Sequence, residues 1–139
     1  MSTQVVSIGY EGRTVDELVR ILREAHVTTL LDLRAVPLSR KPGFSKKALA
    51  SRLAGEGIAY INLPEAGNPY RTQGDRGMCL QLYSMYLREN PSIVDLVIAA
   101  LAEPATAVLC YERQHNCCHR SILLQALQER IGVRVIKFE

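Results

Sequence analysis

Five short apolar runs, each followed within three residues by a charged one and separated by amphipathic stretches, constrain this chain more than any other feature. Residues 4–8, 28–33, 58–63, 106–111 and 133–138 have the length and the β-branched or apolar content of strands. Between the first two, Val15, Leu18, Val19, Leu22 and Ala25 recur at spacings of three and four, the period of a helix face. Thr14-Val15-Asp16-Glu17 has the form of a capping box, in which hydroxyl and carboxylate satisfy orphan amides reciprocally. Ser45 is placed to cap the next helix, with Phe44 packing on Leu49 and Gly55 closing it. After a Gly-, Pro- and Asn-rich stretch over 64–78 come two helices, one presenting Cys79, Leu82, Tyr83 and Tyr86, the other started by Asn90-Pro91. The last helix is expected from about Cys118 to Arg130. Strands alternating with helices predict an α/β fold: a Rossmann-like three-layer sandwich around a mostly parallel sheet of about five strands. The nearly all-apolar run 106–111 belongs at the sheet centre, and 133–138 at or near an edge.

With 139 residues, 47% of them hydrophobic, the chain can build one core without staples, so residues 1–139 read as a single domain. Met1-Ser2-Thr3-Gln4 lacks the basic and apolar pattern of a leader, and 93–110 is interrupted by Asp95, Glu103 and Pro104. The expectation is a cytoplasmic chain with no membrane partner and its four cysteines reduced. The net charge of +3 is small, but 34–52 holds six basic residues (Arg34, Arg40, Lys41, Lys46, Lys47, Arg52) and no acidic one. That stretch reads either as a solvated face or as an anion-attracting rim.

Open α/β sheets bind ligands beyond the carboxyl ends of their strands. The residues there are Gly9, Tyr10 and Glu11; Asp32 and Arg34; Glu65; Cys110 and Glu112. The segment 110–120 leaves a strand and enters a helix, where free amides and the helix dipole favour anions and acidify thiols. It carries Cys110, Glu112, Arg113, His115, Cys117, Cys118, His119 and Arg120. Zinc would find enough donors among its cysteines and histidines, but their spacing matches none of the usual paired patterns, so no metal is assigned. A phosphatase- or sulfurtransferase-type loop would need Arg six positions after its Cys; six after Cys110 is Asn116. No glycine-rich nucleotide fingerprint is present. The cofactor is left open.

Several separated motifs resemble one family, the bacterial and archaeal proteins called domain of unknown function 488. They are Ile8-Gly9-Tyr10-Glu11-Gly12; Asp32-Leu33-Arg34 with Pro37, Ser39-Arg40, Pro42 and Phe44; Gly57-Ile58-Ala59-Tyr60 with Leu63-Pro64-Glu65; and Cys110-x-Glu112 with Cys118-His119-Arg120. The chain departs from the family pattern at Ala66-Gly67-Asn68, where Leu-Gly-Gly is usual, and in the added Cys117. The resemblance implies a Rossmann-like fold and a strand-end site, without a function.

Three readings follow. In the first, Gly9, Tyr10, Arg34, Arg40, Cys110 and Arg120 bind a small phosphorylated or nucleotide-like anion, with Glu112 or Asp32 as base and His119 as proton carrier. In the second, the chain is a thiol-dependent transferase or hydrolase with Cys118 as nucleophile. The third is a non-catalytic nucleic-acid module using 34–52, for which an aromatic stacking pattern is lacking. The oligomeric state is not read from the sequence.

Overall fold

The computed structural model describes residues 3–139, so positions 1 and 2 of the expected domain and leader reading lie outside the described residues. The elements follow in the order β1 (Gln4–Gly9), α1 (Val15–Glu24), β2 (Val27–Asp32), α2 (Lys46–Gly55) and β3 (Ala59–Asn62), then α3 (Arg76–Glu89), α4 (Ser92–Ala100), β4 (Ala105–Cys110), α5 (Arg120–Arg130) and β5 (Arg134–Phe138). Short 3-10 turns cover Pro64–Ala66 and His115–Cys117. The five strands form one sheet of order β3-β2-β4-β1-β5, and every pairing is parallel. The fold class is therefore α/β, as expected, with β4 buried at the centre along its full length and β5 on an edge.

Two apolar clusters show why the sheet is sandwiched. Leu18, Val19 and Leu22 of α1 and Leu49 and Leu53 of α2 pack with Val6, Ile8, Leu30, Ala107 and Leu109. Tyr83 and Leu87 of α3, Val94 and Val97 of α4, and Leu123, Leu124 and Leu127 of α5 pack with Val5, Leu31, Leu33 and Val108. Alternate residues of each strand thus face opposite helix layers, which is the period-two rule read across a doubly covered sheet. β1 and β2 lead into one layer, while their neighbour β4 leads into the other. The connections part company there, and that divergence opens a crevice at the carboxyl ends of β1, β4 and β2.

The capping box of α1 is present: the Glu17 amide donates to Thr14 Oγ1 at 3.1 Å and the Thr14 amide to Glu17 Oε1 at 3.3 Å. Ser45 makes no such cap. Its hydroxyl donates to the Ser39 carbonyl at 2.9 Å and accepts from the Ser39 amide at 3.1 Å, closing the 39–45 loop instead. α2 ends on Gly55, as expected, and Gly57, with φ of 76°, turns the chain so that the Gly57 and Ile58 amides reach the Ala54 and Leu53 carbonyls. α3 begins at Arg76, inside the stretch expected to be loop, because the Asp75 carboxylate accepts from the Met78 amide at 2.8 Å. α5 begins two residues later than expected, since 115–117 forms its own 3-10 turn. Among the described residues no helix is long and apolar enough to cross a membrane.

Candidate functional site

Strand register sets the floor of the site. Gly9 lies opposite Cys110, Asp32 opposite both Leu109 and Asn62, so the ends of four adjacent strands fall at one level. Gly9 permits a further approach: a Cβ there would run into the Glu112 carbonyl, so only glycine lets the 110–113 turn lie against β1. The Tyr10 and Glu11 amides extend the ladder to the Cys110 and Tyr111 carbonyls at 3.1 and 2.9 Å. Tyr10 is then fixed by stacking on Phe44, with ring centroids 4.5 Å apart, and by an edge contact with Tyr111.

Asp32 and Arg34 form a buried bidentate pair. Arg34 Nε and Nη2 donate to the two carboxylate oxygens at 2.8 and 2.7 Å, and Tyr60 Oη donates to Oδ2 at 2.5 Å. Burial alone would lower the Arg34 pKa, but the hydrogen bonds and charge of Asp32 outweigh it and raise it. Burial, reinforced by Asp32, raises the Tyr60 phenol. Arg34 Nη1 points on toward Tyr10 Oη at 3.5 Å.

A cleft of about 390 Å³ opens above this floor. Tyr10, Arg34, Cys110, Glu112 and His119 line it from the strand ends, and Asn68, Arg71 and Arg76 from the opposite wall. That wall is a roof hung from the α3 layer: Asn68 Nδ2 donates to the Cys79 carbonyl at 3.2 Å, and Tyr83 Oη to the Ala66 carbonyl at 2.7 Å. Gly67, the glycine kept between the departures Ala66 and Asn68, lies against the backbone of Leu33 and Ala35, where a Cβ would clash.

The site residues expected from sequence divide by depth. Asp32, Arg34, Tyr10, Gly9, Cys110, Glu112 and His119 gather at the crevice. Arg120 lies beneath it, fully buried, with Nη2 donating to the Glu112 carbonyl at 2.5 Å and, among the described residues, no partner for Nε or Nη1. Burial lowers its pKa to about 10, against the opposing charges of Glu112 and Glu139. Arg40 is exposed and does not line the cleft. Cys118 is 1% exposed and lies behind Cys110. The expectation of four separate thiols is corrected: the sulfurs of Cys110 and Cys118 lie within bonding distance as a disulfide pair, while Cys79 and Cys117 are free. The pairing joins a strand end to the turn before α5, a contact made by the fold and absent from the local spacing.

His119 is nearly sealed, edge-on to Tyr83 at 4.9 Å, and burial with the nearby Arg120 charge lowers its pKa to about 4. His115 is also buried, with Nδ1 2.6 Å from Ser7 Oγ; burial, Arg120 and Lys137 lower its pKa to about 4. Three of the six basic residues in 34–52 are engaged internally. Arg34 pairs with Asp32, Lys41 Nζ donates to the Tyr10 carbonyl at 3.1 Å, and Arg52 pairs with Asp16 and Glu56. Sequence reasoning missed Arg71 and Arg76, whose only signal was membership of a loop too long to be a plain connector.

An all-parallel sheet with helices on both faces and a polar cleft at its strand ends defines a Rossmann-like α/β protein. The family model described as Domain of unknown function DUF488 matches residues 14–127, well over half of the sequence, and the chain belongs to that family. Neither a curated protein nor a solved structure gives a significant match.

Proposed function

We propose that the strand-end cleft binds a small phosphorylated or nucleotide-like anion. One observation carries this reading: three guanidinium groups, Arg34, Arg71 and Arg76, and a single carboxylate, Glu112, line a cleft of about 390 Å³ at the topological divergence of the sheet. Arg34 is already neutralised by Asp32, whereas Arg71 and Arg76 are exposed and, among the described residues, have no ion-pair partner. They supply the free positive charge, and the guanidinium fork suits phosphate oxygens. The volume falls in the range of small-molecule sites, and Tyr10, Tyr111, Val36 and Leu80 offer apolar surface to the rest of the ligand. In this reading Glu112 orients a hydroxyl or takes a proton, and neutral His119 carries one. Arg120 is a positioning residue, holding the Glu112 turn from below.

The test is a thermal-shift and calorimetric screen with inorganic phosphate, sugar phosphates and nucleoside phosphates. Wild type gains stability with at least one of them, and the Arg71→Ala/Arg76→Ala double variant loses at least tenfold in affinity while its own melting temperature stays within a few degrees. Wild type unmoved by every phosphate-bearing compound overturns the reading.

A second reading, thiol chemistry, is favoured by the Cys110 sulfur, which lines the cleft at the end of β4. The cleft-facing nucleophile is then Cys110, with Cys118 as its buried partner. In reduced protein, iodoacetamide modifies Cys110 at pH 6 faster than a free peptide thiol of pKa about 8.5. Labelling no faster than the peptide rejects it.

A further inference from the structure

We propose that Cys110, Cys118 and His119 of the reduced chain form a three-ligand site for a thiophilic divalent ion such as Zn²⁺, with the fourth coordination position open to the strand-end cleft. The two sulfurs and an imidazole nitrogen all lie within 4.8 Å of one another, and all three side chains are buried. The donors are soft, a set that selects zinc-like ions over magnesium or calcium.

Sequence spacing argues against adjacent residues sharing a metal, and local backbone geometry removes that objection. Cys118 is extended, with φ −121° and ψ 150°, and His119 turns at once into helical geometry, with φ −59° and ψ −16°. This reversal brings Cys118 Sγ to 3.6 Å from His119 Nδ1. The ring is oriented by an edge contact with Tyr83, with centroids 4.9 Å apart.

The backbone spacing of the cysteines points the same way. Their Cα atoms are 7.7 Å apart, beyond the roughly 4.4–6.8 Å usual for a disulfide. An ion bonded to both sulfurs at about 2.3 Å holds tetrahedral thiolates roughly 3.8 Å apart, which a wider backbone accommodates readily. Cys110 and His119 both line the cleft, so an ion between them presents its free position to the cavity. Three protein ligands with one open position is the arrangement of catalytic zinc, as distinct from closed structural sites. The inference shares His119 with the anion reading but uses none of the cleft arginines, so loss of cobalt binding and loss of phosphate binding are separately measurable.

The oxidised pair has no thiolate to offer, so binding requires reduction. A phosphine supplies two electrons and becomes the phosphine oxide, water supplies its oxygen and the two protons, and the disulfide yields two thiols. The full-length chain, reduced in this way and stripped with a chelator, is titrated with Co²⁺ alone and then with Zn²⁺ alone. One equivalent binds, with the intense thiolate-to-cobalt charge-transfer band of two sulfur ligands and the visible bands of a tetrahedral ion. Cys110→Ser and Cys118→Ser remove the band, His119→Gln weakens binding at least tenfold, and Cys79→Ser and Cys117→Ser leave both unchanged. Wild type reoxidised to the disulfide keeps its circular dichroism and binds no cobalt, which separates loss of ligands from loss of fold. The proposal is overturned if the reduced wild type shows no charge-transfer band, if Cys110→Ser keeps it, or if it depends on Cys79 or Cys117.

Discussion

Gly9 stands where β1 ends, with the Glu112 carbonyl occupying the space a side chain would need. Gly9→Ala therefore forces the 110–113 turn off the sheet, at about 3 kcal/mol of stability. The same displacement moves Glu112 and Cys110, so ligand or cobalt binding falls along with the melting temperature. The measurement is chemical denaturation of wild type and variant side by side; a change under 1 kcal/mol would show that the close approach is dispensable. At this scale the sequence was readable wherever a residue acts on its near neighbours. Thr14 and Glu17 cap as their spacing says, while Ser45, an equally good cap by type, closes a loop because Ser39 reaches its hydroxyl first. Asp32 and Arg34 were legible as strand-end polar residues, but their mutual pairing, and the Tyr60 hydroxyl that completes it, depend on how β3 lies beside β2.

The amino end of α5 holds the site from below. Arg120 is wholly buried, and its guanidinium hydrogen bond fixes the Glu112 carbonyl, opposite the side that Gly9 supports. Arg120→Ala leaves a cavity and an unpaired carbonyl, and is expected to lose about 3 kcal/mol in denaturant unfolding. The exposed Arg71→Ala stays within about 0.5 kcal/mol. Arg120→Ala no less stable than Arg71→Ala would place the turn's anchor elsewhere. Sequence reasoning located this element and its residue types, but gave the arginine to the ligand. Spacing reveals that a side chain sits near a helix start and not whether it points into the cleft or under it. The 64–78 segment failed for a related reason: its polar composition conceals the Asp75 cap and the α3 turn beginning at Arg76, which become visible only once Cys79 and Tyr83 are packed.

Across the whole molecule, the order of strands and helices carried the architecture, because each apolar face needs a layer to cover it. The site's chemistry was less legible, since the Cys110–Cys118 contact and the Ser7–His115 contact join segments far apart in sequence or across a turn. His115 gives the fold a pH response. Its folded pKa, about 4, lies below the ordinary 6.5, so the unfolded chain takes up its proton first as acid is added. The His115 contribution is complete above pH 6.5 and is lost as pH falls toward 4, at up to about 1.4 kcal/mol per pH unit. Stability curves of wild type and His115→Gln, both reduced, therefore converge on acidification. Parallel curves over that window would show that this imidazole does not report folding. The roof of the cleft, finally, hangs from the α3 layer through Asn68 and Tyr83, whereas the floor is built into the ladder of the sheet. The exposed roof positions Arg71 and Arg76 can therefore be exchanged while the buried Asn68 and Cys79 and the strands beneath stay as they are.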